Sequence, residues 1–215
     1  MAILRYTASA DNTIANAFEA NLTTRGTGSN MGYADSLEIF SIYGQESGSN
    51  GQSQELSRVL IQFPVSSISA DRTAGTIPAS GSVSFYLKMF NAEHPFTLPQ
   101  DFNLVVAPVS RSWSEGTGLD MDEYKDLGVS NWMKSDASTS WTNVGGDYRT
   151  ASNYNVSFPE GYEDLEVDVS DVVERWISGA DPAFANNYGF GVRLTASQEA
   201  YFSSSLGADS GSLIQ

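Results

Sequence analysis

Hydrophobic and polar residues alternate along this chain in short runs, cut by Gly, Ser, Asn, Asp and Pro. A two-residue period predicts strands with one face toward a core and the other toward water. The pattern predicts strands at residues 2–8, 13–17 and 37–43, and at 58–65, closed by Pro64. Residues 82–90 set Val83, Phe85, Leu87 and Met89 inward against Ser82, Ser84, Tyr86 and Lys88. Further strands are predicted at 102–109, 164–169, 188–195 and 200–204. One segment changes period. Val169, Val172, Val173, Trp176 and Ile177 fall on one face of a helix. Ser170 or Asp171 suits its N-cap, Asp171 and Glu174 have capping-box spacing, and Gly179 suits a left-handed C-terminal residue. Two stretches predict long loops: residues 44–54, rich in Gly, Ser, Gln and Asn, and residues 110–159, which hold three of the 4 Trp. The expected fold is an all-β antiparallel sandwich of jelly-roll type with one short α-helix and long loops. One domain is expected over residues 1–206, with a polar tail at 207–215.

Composition narrows the partners. The 215 residues carry 26 Asp+Glu against 11 Lys+Arg, a formal net charge of −15. Such a surface repels phosphate backbones and anionic lipid, so neither nucleic acid nor membrane is expected as a partner. No stretch of about 18 apolar residues occurs, so no membrane-spanning helix is expected. With 40% hydrophobic and 12% aromatic residues, the chain can build a sizeable core. Cysteine is absent, which removes disulfides, thiolate metal sites and a cysteine nucleophile. The apolar start at Met1 ends after Leu4 and lacks a secretory leader's pattern, which leads to the expectation of synthesis without a signal peptide.

Several segments, in order, resemble one family, the DNRLRE-type β-sandwich found among carbohydrate-binding modules. They are Ala10-Asp11-Asn12-Thr13-Ile14, then Arg58-Val59-Leu60-Ile61-Gln62-Phe63, then Ser84-Phe85-Tyr86-Leu87. Trp113-Ser114-Glu115 follows, then Trp141 with Gly145-Gly146-Asp147, Asp168-Val169-Ser170 through Trp176, and Asn187-Tyr188-Gly189-Phe190. The likeness spans residues 10–202. The chain is expected to depart from secreted members by lacking a leader, and it carries inserts at 44–54 and 116–140. Similar domains without leaders look like virion structural proteins of tailed bacteriophages, and the Lys-poor composition fits them.

Candidate chemistry is sparse. Glu115, Asp120, Asp122, Glu123 and Asp126 crowd twelve positions with only Lys125 opposing. Calcium takes six to eight oxygens, and Asp120, Asp122, Glu123 and Asp126 could supply several of them. The spacing is not an EF-hand, because Lys125 stands where that loop needs glycine. The same residues read equally as a solvated acidic loop pinned by Trp113 and Trp132. A second cluster runs Glu160, Glu163, Asp164, Glu166, Asp168, Asp171 and Glu174. It reads as a docking face, or as strand positions facing water and helix positions favoured by the dipole. Carboxylates along one strand and helix do not oppose one another across a cleft as glycoside hydrolysis requires, so no catalytic residue is assigned. His94, the only histidine, precedes Pro95 in an expected turn, and no nucleophile motif accompanies it. Trp132 and Trp141 are the tryptophans expected to be exposed, and they would stack on sugar rings if the chain bound polysaccharide. Trp113 and Trp176 are expected to be buried.

The function these readings lead to is non-enzymatic. The chain is expected to be a bacteriophage virion structural protein, a capsid decoration or tail component. It would act through contacts with neighbouring virion proteins and form homo-oligomers. The second reading is a carbohydrate-binding module.

Overall fold

The computed structural model describes residues 3–21, 23–43, 54–93, 98–125 and 128–199. The predicted strand at 200–204, His94, residues 44–53 and the tail at 207–215 lie outside them. In chain order the elements are β1 (Ala10–Ala15), β2 (Ser29–Asn30), β3 (Ser41–Tyr43), β4 (Gln54–Gln62), α1 (Val65–Thr73) and β5 (Tyr86–Met89). They continue with β6 (Phe102–Pro108), β7 (Asp120–Lys125), β8 (Tyr154–Phe158), β9 (Leu165–Asp168), α2 (Ser170–Ser178), β10 (Phe190–Leu194) and α3 (Ala196–Glu199).

The architecture is an antiparallel β fold with few helices. The main sheet runs β1-β4-β10-β6-β8, with β3 paired to the start of β4. β2 pairs with β7, and β5 with β9, as two smaller sheets. Strand alternation divides the main sheet between two cores. Val59 and Ile61 of β4, Phe190, Val192 and Leu194 of β10, and Phe102, Leu104 and Val106 of β6 face the larger one. Val65 and Ile68 of α1, Leu87 of β5, Leu165 of β9 and Val172, Val173 and Trp176 of α2 close that core from the other side. Trp176 meets Phe190 edge-on, with ring centroids 4.9 Å apart. The opposite face carries Ile14 and Leu60, and the described residues between 110 and 149 roof it with Trp132, Trp141 and Tyr148.

α2 forms where the apolar spacing predicts it, and Gly179 adopts φ +60°, its N–H donating to the Arg175 carbonyl. The predicted capping box does not form. The Asp168 carboxylate accepts from the Ser170 N–H at 2.9 Å, and the Ser170 hydroxyl accepts from the Phe85 N–H at 2.8 Å. Ser170 is thus turned to tie the helix to β5.

The expectation of one helix is corrected, since α1 and the single-turn α3 also form among the described residues. α1 begins at Val65, directly after the proline that closes β4. Its sequence, Val-Ser-Ser-Ile-Ser-Ala-Asp-Arg-Thr, buries only Val65 and Ile68, too few to show a helical stripe. Residues 3–8 are not a strand either, although they alternate. β7 and β8 lie within the expected loop 110–159.

Candidate functional site

The residues quoted for the family resemblance divide between the two faces of the main sheet: Phe85, Leu87, Val169, Trp176 and Phe190 belong to the helix-covered core, and Ile14, Leu60, Trp113, Trp141 and Tyr188 to the roofed one. The cause is alternation: Asn12 and Ile14 on β1, Arg58 and Leu60 on β4, and Gly191 and Arg193 on β10 point to the same side. Asn12 is fully buried. Its amide donates to the Ser130 hydroxyl at 2.8 Å and its carbonyl accepts from the Met31 N–H at 3.0 Å. Asn30 works beside it, donating to the Ser130 carbonyl at 2.8 Å and accepting from the Gly32 and Gly118 N–H groups. Glu115 accepts from the Asp11 N–H at 2.8 Å. Burial first, and then the Glu115 charge, raise the Asp11 carboxyl above its usual range.

The tryptophans hold the roof down. Trp113 donates through Nε1 to the Tyr188 carbonyl, and Trp141 to the Asn131 carbonyl, each at 2.8 Å. The expectation that Trp132 and Trp141 are exposed is corrected: they are 6% and 5% exposed. The reason is that a roof this long, with few ladder bonds of its own, needs large apolar anchors, and these two rings pack onto Ile14, Leu60 and Val109. Neither offers a face to a sugar. Trp176 is buried and Trp113 partly buried.

Arg58 is the electrostatic centre of the face. Nε and Nη2 donate to the two Glu199 oxygens at 2.9 and 2.7 Å, and Nη1 donates to the Gly145 carbonyl at 2.9 Å. The guanidinium also lies over Trp132, 5.1 Å from its ring centroid, with Tyr148 on another side at 5.8 Å. Burial acts to lower its pKa, but the hydrogen-bonded Glu199 carboxylate outweighs that, so it is raised. Tyr148 donates to the Gly145 carbonyl at 2.7 Å, and burial raises its pKa. Gly191 permits this arrangement, since a Cβ there would stand 2.0 Å from the Tyr148 ring. A guanidinium saturated in this way positions chain rather than ligand. The sequence signal was an arginine inside an apolar strand, which demands a buried partner. That the partner is Glu199, 141 positions away, could not be read.

Asp147 closes the roof. Its carboxylate accepts from the Thr142 and Asn143 N–H groups, both at 2.9 Å, and meets Arg111 Nε at 3.0 Å. Burial alone would raise its pKa, but the two N–H donors and the Arg111 charge outweigh burial, and it is lowered.

The second acidic cluster is largely spoken for. Glu166 pairs with Lys88 at 2.6 Å, and Glu174 with Arg72. Tyr154 donates its hydroxyl to Asp171, Asp164 accepts from the Asn91 N–H, and Glu163 accepts from the Glu160 and Gly161 N–H groups. Of the carboxylates considered for calcium, Asp120, Asp122 and Glu123 fall on β7, an extended strand and not a wrapped loop. Asp126 lies outside the described residues. Among the described residues, no group of three His, Cys, Asp or Glu is placed to hold a metal ion. No helix of the described residues is long and apolar enough to cross a membrane.

Sequence reasoning missed one surface as a site. Tyr86 on β5 and Phe90 just after it are exposed in phase with one another, and Tyr162 stands in the nearby turn that Asn91 binds through the Gly161 carbonyl. All three are exposed, Phe90 at 79%. Alternation placed Tyr86 outward beside Lys88, which was the available signal. Comparisons with known proteins return no matching family model, curated protein or solved structure.

Proposed function

We propose that the chain is a non-enzymatic structural protein that acts through contacts with neighbouring subunits, as a capsid decoration or tail component of a bacteriophage virion. One observation carries the reading: exposed aromatics, Tyr86, Phe90 and Tyr162, bordered by Glu160, Asp164, Glu166 and Asp168, on a small sheet at the surface. An apolar surface with a charged rim suits association between proteins. The segments resembling the DNRLRE-type family support it from another side. Their polar groups tie the 110–149 roof to the sheet, which makes a rigid body to build with. On this reading the main sheet and the β5–β9 pair are the leaves of the jelly-roll sandwich. The carbohydrate-binding alternative loses its expected stacking platforms, Trp132 and Trp141, to the core.

The test joins size-exclusion light scattering over a concentration series with a glycan array. Masses in multiples of 23.2 kDa without glycan binding are expected. A strict monomer that binds a glycan would overturn the proposal.

A further inference from the structure

Residues 3–7 belong to no helix, strand or turn, and their backbone groups bond to no backbone group of the described chain. The first backbone pairing after it is the Ser9 N–H to the Gln62 carbonyl, and no bond is made by an N–H or C=O between Ile3 and Thr7. The sequence nevertheless has strand character there, and exposes Ile3 at 80% and Leu4 at 47%. The segment is held at one point. Tyr6 packs on the larger core and donates its hydroxyl to Asp71 of α1 at 2.6 Å.

A complementary edge exists on the same molecule. Among the described residues, β5 has a strand neighbour, β9, on one side only. The Val169 N–H donates to the Phe85 carbonyl, and the Asn91 N–H to Asp164, so the odd-numbered residues of this strand face β9. By the two-residue period of the ladder, Tyr86, Lys88 and Phe90 direct their N–H and C=O groups away from it. Such an edge is a template for another strand.

We infer that residues 3–7 of one copy add as a strand to the open edge of β5 on a second copy. This rests on the reading of the chain as a self-associating structural protein, and names the contact. Charge favours the pairing: residues 1–10 carry Arg5 and no acid, while the β5–β9 surface carries Glu160, Glu163, Asp164, Glu166 and Asp168 against one Lys88. Apolar matching adds to it: Ile3 falls on the same face as Arg5 and so meets the face that carries Tyr86 and Phe90. Five extended residues span about 17 Å, enough to lie along the four residues of β5. Main-chain bonds then supply affinity and alternate side chains supply register. The Tyr6–Asp71 bond keeps each arm seated on its own α1 while its tip reaches the neighbour.

The experiment uses the full chain. Leu4→Pro with Arg5→Pro removes N–H donors of both parities at exposed positions that bond nothing among the described residues, so the melting temperature should not move. Light scattering should show oligomers for the parent and a monomer for this variant. The chain has no cysteine, so single cysteines report proximity. Arg5→Cys mixed with Lys88→Cys should give a disulfide-linked dimer under mild oxidation. Arg5→Cys mixed with Ala137→Cys, on the roof, should give no more than either protein alone. An oligomer that persists in the proline variant overturns the arm exchange and leaves self-association standing. A parent chain that stays monomeric and does not cross-link overturns both.

Discussion

Asp147 shows how one carboxylate can govern a loop. Two N–H donors and Arg111 lower its pKa in the folded chain despite burial. A lowered folded value means that its stabilisation is present above the ordinary carboxylate range and is lost as pH falls through the folded value. Asp147→Asn should therefore lower stability at neutral pH by about 1–3 kcal/mol, since Asn keeps one acceptor and no charge. It should also flatten the acid limb of melting temperature against pH, and a variant with the parent's acid limb would refute this assignment. Arg58 behaves differently, because its partner is as buried as it is: the side chains of Arg58 and Glu199 are 16% and 9% exposed. Arg58→Met should cost about 3–5 kcal/mol by leaving Glu199 uncompensated. Arg58→Met combined with Glu199→Gln should cost clearly less than the sum of the two single changes. Urea denaturation of all four proteins measures the coupling, and a value below about 1 kcal/mol would place the pair with exposed ion pairs.

Elements were legible where one physical signal dominated. α2 declared itself because five apolar residues share a stripe and a glycine ends it. β5 did so because strict alternation over residues 82–90 matches its burial residue by residue. α1 stayed hidden because it buries only two side chains, Val65 and Ile68, and its serines favour no element strongly. Residues 3–8 misled in the opposite direction: alternation reports which side chains can be buried, not whether a neighbouring backbone exists. The roof was read as a loop of unknown packing, since its order comes from Asx-type turns at Asn131 and Asp136 and from tryptophan anchors. Those turns are local and readable, but which face of the sheet the rings meet depends on contacts more than a hundred residues apart, such as Asn12 with Ser130. The acid-rich stretch after Glu115 carried too little apolar signal to reveal β7.

At the scale of the molecule, the acidity seen in composition resolves into carboxylates with assigned partners around α2 and a rim beside exposed aromatics on the β5–β9 sheet. The main sheet organises everything else by serving two cores at once. Consecutive residues of β4 alternate between them: Val59 and Ile61 belong to the helix-covered core, Leu60 to the roofed one. This has a consequence for the order in which the chain can come apart. Loops usually open at low free energy, well below global unfolding. Here, lifting the roof would strip one face of a strand whose other face is still packed, so the two sides should let go together. Amide protons bonded within the roof, such as those of Ser114, Ser130 and Gly145, should exchange with the same denaturant dependence as those of β4. Native-state hydrogen exchange measures this directly, and a separate low-energy opening of the roof would disprove it. In kinetic terms, the longest irregular stretch of the described chain would be as slow to admit solvent as its central strand.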